Sequence, residues 1–187
     1  MELKMIAIRT YFRTLSNHLE NVDPMTVAAA VDVINGARLR GSRIFTCGNG
    51  GSGSIASHFA GDLSVNVPFP YEVVCLNDSM TAVTAIANDY DYGAAFSFQL
   101  GRFAAPGDVL IVFSSSAASV NIIAAVDTAR LKGLHTIGIF GDNTRPVNNR
   151  CDVVITPCIA DCEINEPIFS AIAHCLVEEL RHVRAEP

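Results

Sequence analysis

Five short apolar runs punctuate this chain: Arg43–Cys47, Tyr71–Leu76, Val109–Phe113, Thr136–Phe140 and Val153–Thr156. None shows the strict in–out alternation of a strand with one wet face, so each reads as a strand covered on both sides. Helical stretches near 52–63, 79–87, 93–103, 119–132 and 166–184 separate most of them. Strands that alternate with helices are joined by crossovers, and crossovers make neighbouring strands parallel. The expected fold class is therefore α/β: a three-layer αβα, doubly wound around a central parallel sheet.

Two helices precede the first strand. Residues 2–20 carry Leu3, Ile6, Tyr11, Leu15 and Leu19 at helical spacing. The second helix is expected over Pro24–Arg40, with Asp23 as N-cap, Pro24 at the first helical position and Gly41 as the stop. The whole chain, 1–187, reads as one domain, with a helical N-terminal segment over 1–41 and an αβα core over 42–187.

Half of the residues are hydrophobic and only 17% are charged. That is a lightly charged surface for a monomer, so apolar area is expected between subunits of a homo-oligomer. The net charge of −6 argues against broad nucleic-acid or anionic-membrane binding. No apolar run reaches the roughly 18 residues of a membrane span. The N-terminus MELKMIAIRTYFRTL mixes charges into its apolar residues and reads as a helix, not a signal peptide. Cys47, Cys75, Cys151, Cys158, Cys162 and Cys175 form no CxxC pair. They read as reduced thiols in a cytoplasmic protein.

Ligands of open parallel sheets bind outside the carboxyl ends of the strands, so the residues after each strand carry the functional information. After the first strand comes Gly48-Asn49-Gly50-Gly51-Ser52-Gly53-Ser54, leading into a helix. It is neither a Walker A loop nor a GxGxxG fingerprint. It serves either as a tight turn or as a backbone cradle at a helix N-terminus. After the third strand comes Ser114-Ser115-Ser116-Ala117-Ala118-Ser119. Hydroxyls and free N–H groups at a helix start suit a phosphate monoester, and they equally suit a plain serine-rich cap. The cluster Asn88-Asp89-Tyr90-Asp91-Tyr92 is either an Asx-rich turn or a set of acceptors for sugar hydroxyls.

His58 and Asp62, spaced i, i+4, share one helix face and can ligate a metal, share a proton or form a surface pair. His174 lies among apolar residues of the last helix, where a lone histidine is more often a satisfied core residue than a ligand, and Glu166, before Pro167, is a candidate cap for the start of that helix. Eight residues span about 12 Å along an ideal helix. Glu166 and His174 therefore could meet one site only if Glu166 reaches back from the helix entry, or they belong to sites completed by different subunits.

Taken together, Cys47-Gly48-Asn49-Gly50-Gly51-Ser52, His58-Phe59-Ala60 with Asp62, Ala87-Asn88-Asp89-Tyr90 and the serine loop resemble the phosphoheptose-isomerase group of the sugar isomerase (SIS) domain family in order and approximate spacing. The resemblance runs from about Arg43 to Glu179. It implies a SIS domain that assembles as a homotetramer with sites at subunit interfaces, usually with zinc. It implies interconversion of sedoheptulose 7-phosphate and D-glycero-D-manno-heptose 7-phosphate, a step of heptose and lipopolysaccharide biosynthesis. By that likeness Asn49, Gly50, Gly51, Asn88, Asp89 and Glu166 contact the sugar, and Ser114, Ser115, Ser116 and Ser119 hold the phosphate. His58, Asp62, Glu166 and His174 fall at the metal positions, with Asp62 and His174 as the acid–base pair of an enediol mechanism.

The chain departs from the group's pattern in three places. Asp62 stands where Glu is usual, and Ala117 where glycine is usual. Glu166 stands where Gln is usual, unless a one-residue shift brings Asn165 there. Two alternatives accompany the resemblance: an isomerase of another sugar phosphate, and a non-catalytic adaptor of the same fold that binds the replication initiator.

Overall fold

The computed structural model describes residues 2–142, 144–157, 159 and 161–183; Cys158 lies outside them, and of Glu2 and Leu3 only the backbone is described. Helices α1 (Glu2–Glu20) and α2 (Pro24–Arg40) lead into β1 (Arg43–Gly48). There follow α3 (Gly50–Val65), β2 (Glu72–Cys75), α4 (Met80–Asp89), α5 (Ser97–Phe103), β3 (Val109–Ser114), α6 (Val120–Leu131), β4 (His135–Phe140), β5 (Val153–Ile155) and α7 (Cys162–His182). The five strands form one sheet in the order β2-β1-β3-β4-β5, and every pairing is parallel. This is the doubly wound three-layer fold expected from the alternating pattern.

The sheet is buried on both faces, and the period-two geometry of a strand divides its side chains between two cores. In β3, Val109, Ile111 and Phe113 pack with α2, α3 and α7, whereas Leu110 and Val112 pack with α5 and α6. Phe113 joins its face together: its ring meets Phe59 of α3 edge-on with centroids 6.1 Å apart, and Phe169 of α7 lies 6.5 Å away.

The helix ends follow their local chemistry. Asp23 accepts a hydrogen bond from the Met25 N–H, Pro24 opens α2, and Gly41 closes it in the left-handed conformation. Two boundaries differ from expectation. The stretch 93–103 divides, because the Asp91 side chain caps a 3₁₀ turn over Tyr92–Ala94 before α5 begins at Ser97. The last helix starts at Cys162, capped by Asp161, so Glu166 is not its cap and Pro167 sits inside it. Proline there leaves the Glu163 carbonyl without its helical donor. The Tyr11 hydroxyl, from α1, donates to that carbonyl at 3.0 Å.

The five described cysteines are unpaired. Burial raises the Cys47 thiol far above its ordinary value and pushes Cys151 up to about 12, with the Asp152 charge adding to the effect at Cys151. Alkylation of the native protein at pH 8 followed by peptide mapping should therefore label Cys162 readily and leave Cys47 and Cys151 unmodified until the chain is unfolded. Truncation of the fully buried Phe169 should cost about 3–5 kcal/mol in urea unfolding of Phe169→Ala.

Candidate functional site

The winding direction reverses between β1 and β3, whose carboxyl ends lie in register at Gly48 and Phe113. The glycine loop and the serine loop thus leave the sheet side by side, where a doubly wound fold opens its ligand crevice.

In the glycine loop, Asn49 is the N-cap of α3, but its side chain makes no capping bond. It pairs instead with buried Asn121 of α6: each amide donates to the other's oxygen, at 2.9 and 2.7 Å. The Tyr92 hydroxyl donates to the same Asn49 oxygen at 2.8 Å. Gly50 follows with φ of 54°, a conformation glycine adopts without steric cost. Behind the loop, the Asn77 amide brackets Gly48: it accepts from its N–H at 3.2 Å and donates to its carbonyl at 2.8 Å. Asn77, Tyr92 and Asn121 were not singled out as site residues from the sequence. The only signal was the position of Asn121 just inside the helix that follows the serine loop, and of Tyr92 within the polar cluster.

In the serine loop, Ser114 Oγ accepts from the Ala117 N–H at 3.1 Å, and Ser116 Oγ accepts from the Ala118 N–H at 3.3 Å. Ser119 is the N-cap of α6 with its hydroxyl unused for capping. Ala117 takes a φ of 49°, left-handed for a residue with a Cβ, at a cost of about 1–2 kcal/mol. Its methyl is buried, so the loop is held in this shape from beneath. Hydroxyls above the positive end of a twelve-residue helix are an arrangement chemically suited to an anion.

The third cluster lies on the seam of α3 and α7. Asp62 Oδ2 stands 3.3 Å from His58 Nε2 and 3.5 Å from His174 Nδ1. The other carboxylate oxygen accepts from the Asn66 amide at 2.7 Å, which fixes the rotation of the group. The Asp62 side chain is 13% exposed, whereas the two imidazoles are 59% and 58% exposed. A covered carboxylate therefore holds two rings that face outward, with centroids 5.2 Å apart. The donor atoms of all three residues lie within 4.8 Å of one another. Two imidazoles and a carboxylate form a donor set that suits zinc. An open polar cleft of about 560 Å³ runs from the glycine loop past Ser57 and Asp78 to His58.

Glu166 lies apart from that cluster. Both it and His174 belong to the unbroken α7, and the Glu166 carboxylate is set directly against Gly51, where any side-chain carbon would displace it. Asn88 and Asp89 are exposed in the last turn of α4, where the Asn88 amide donates to the Asp89 carboxylate at 2.9 Å; among the described residues neither side chain hydrogen-bonds to the two loops.

The SIS domain family model matches residues 10–141. The phosphoheptose isomerase of Maridesulfovibrio salexigens is 33% identical over 158 residues, 81% of this chain and 77% of that protein. That of Shewanella sediminis is 32% identical over 165 residues, 84% and 83% of the two chains. The solved phosphoheptose isomerase of Neisseria gonorrhoeae superposes with a TM-score of 0.89 at 25% identity, covering 97% of this chain and 98% of its own.

Gly51→Ala should leave stability within about 1 kcal/mol, since the site is helical and the displaced atoms end a flexible side chain. It should nevertheless weaken sugar-phosphate binding as much as Glu166→Ala does. Calorimetric titration of both single variants and the double variant checks this, with no further loss expected in the double.

Proposed function

The chain belongs to the SIS domain family, and from that premise we propose that it is an aldose–ketose isomerase that interconverts sedoheptulose 7-phosphate and D-glycero-D-manno-heptose 7-phosphate. The observation that carries the reading is the convergence of His58, Asp62 and His174 beside a crevice flanked by a glycine loop and a serine loop. It is supported by relatives named as phosphoheptose isomerases over four-fifths of the chain, which favours an enzyme over a non-catalytic adaptor.

The reaction moves a proton between C1 and C2 through an enediol and needs a base at the C1–C2 edge and an acid at the carbonyl oxygen. We assign these roles to Asp62 and His174, whose Oδ2 and Nδ1 lie 3.5 Å apart. The serine loop, with Ser114, Ser115, Ser116 and Ser119, anchors the phosphate, so that binding energy remote from the reacting carbons positions them. Asn49, Gly50 and Gly51 take the sugar, with Glu166 against Gly51, and Asn88 and Asp89 are assigned to outer hydroxyls. His58, Asp62 and His174 are the residues assigned to hold zinc. Glu166 would complete that set only by leaving its place at Gly51. The chemistry a bound zinc supplies is polarisation of the substrate carbonyl.

The reading includes a homotetramer in the cytoplasm. Met5, Ile6, Ile8 and Phe12 of α1 are exposed, and an apolar groove of about 620 Å³ lies between α2 and α7. These are surfaces a second copy would cover. No helix among the described residues is long and apolar enough to cross a membrane.

Zinc-supplemented protein incubated with sedoheptulose 7-phosphate should form the aldose phosphate, followed by NMR. Asp62→Asn should lower turnover by a factor of at least about 100, the scale of general acid–base catalysis. Near-normal turnover in that variant would refute the assignment of the base. His58→Ala and His174→Ala should each weaken zinc binding in a calorimetric titration, which reads the metal site independently of activity.

A further inference from the structure

Asn165 is fully buried at the start of α7 and has no part in the chemistry assigned above. Both of its amide protons are committed: Nδ2 donates to Ser115 Oγ at 2.7 Å and to the Ile159 carbonyl at 2.7 Å. The second bond fixes which end of the amide faces the serine, because a backbone carbonyl can only accept. Gly141 closes the remaining side, since a side-chain carbon there would run into the Asn165 amide and the Ser115 carbonyl. The side chain is thus wedged between the loop after β3, the end of β4 and the entry to α7.

A hydroxyl carries one proton and two lone pairs. At Ser115 the oxygen accepts from Asn165, and the amide nitrogen offers the hydroxyl proton no acceptor in return. Ser114 and Ser116 likewise use their oxygens as acceptors, from the Ala117 and Ala118 N–H groups. Each of the three consecutive hydroxyl oxygens thus accepts from the protein, and among the described residues none has a hydrogen bond shown that uses its proton, which leaves that proton available to a ligand. A phosphate dianion, which has only acceptor oxygens, matches that arrangement. The Asn165 carbonyl oxygen is buried and has no hydrogen-bond partner among the described residues. A buried acceptor without a donor is destabilising, and an apolar side chain of the same shape would avoid that cost. Against that cost stand the two bonds its Nδ2 donates, one to the Ile159 carbonyl and one to the Ser115 hydroxyl.

We propose that Asn165 is a positioning residue for the anion site: it pins Ser115 as an O–H donor to a phosphate oxygen of the ligand. The identity of that ligand as a sugar phosphate rests on the function proposed above. The test is a double-mutant cycle with calorimetric titration of sedoheptulose 7-phosphate into the wild type, Asn165→Leu, Ser115→Ala and the double variant, together with their thermal melts. Asn165→Leu removes two donated hydrogen bonds along with one unsatisfied acceptor, so it should melt at a somewhat lower temperature while staying folded, and bind roughly fivefold to tenfold more weakly. The double variant should bind no more weakly than Ser115→Ala alone. Asn165→Ala serves the same cycle should leucine perturb the core. Wild-type binding in the Asn165 variants, or losses that multiply in the double variant, would overturn the proposal. Wild-type binding by Ser115→Ala would overturn both it and the assignment of the serine loop to phosphate. Intact cycle behaviour in a protein without isomerase turnover would leave it standing and refute only the proposed reaction.

Discussion

The parallel pairing of β1 with β3 is the constraint on which the rest of the molecule depends. β1 is buried from Ile44 onward and β3 over its whole length, and their register sets Gly48 beside Phe113. Because the chain winds outward in opposite directions from this pair, the loops that leave it are not covered by a crossover helix passing between them. The glycine loop and the serine loop are adjacent for that reason. The amide pair between Asn49 and Asn121 then ties the start of α3 to the start of α6 across the gap.

The histidine cluster depends on a different contact of the same strand. Phe113 points to the face opposite Val112, into the core shared by α3 and α7, and lies between Phe59 and Phe169. Phe59 directly follows His58, so packing of one residue fixes the direction of the next. Phe169 performs the same service five residues before His174. The outward face of the seam is thereby brought to a spacing at which one carboxylate meets two imidazoles. A shorter acid than is usual in this group still reaches both rings, because its second oxygen is held by Asn66 and its first is aimed into the seam.

Legibility varied with the range of the interaction. The strands, the capped second helix and the His58–Asp62 pair could be read because each rests on neighbours within a few residues. The start of the last helix could not: Pro167 reads as a helix opening, and its interior position depends on a hydroxyl from Tyr11 that satisfies the Glu163 carbonyl from another helix. Asn77 and Asn121 looked like any loop or cap asparagine, and Asn165 stood out only as the register alternative to Glu166, because their partners lie 29, 72 and 50 residues away. Ala117 was visible as a substitution for glycine, but its left-handed backbone was not.

What the sequence determined by itself was the set of elements, their alternation, and hence a parallel sheet with ligand loops at its carboxyl edge, since hydrophobic periodicity and capping act locally. Only the tertiary structure decided which groups act together. It gave His174 to Asp62 and Glu166 to Gly51, although both lie on one helix, because α7 runs along the whole of α3 and meets it at two separate points. Side-chain partnership of that kind is a property of packed surfaces, and it is not encoded in the spacing along either helix.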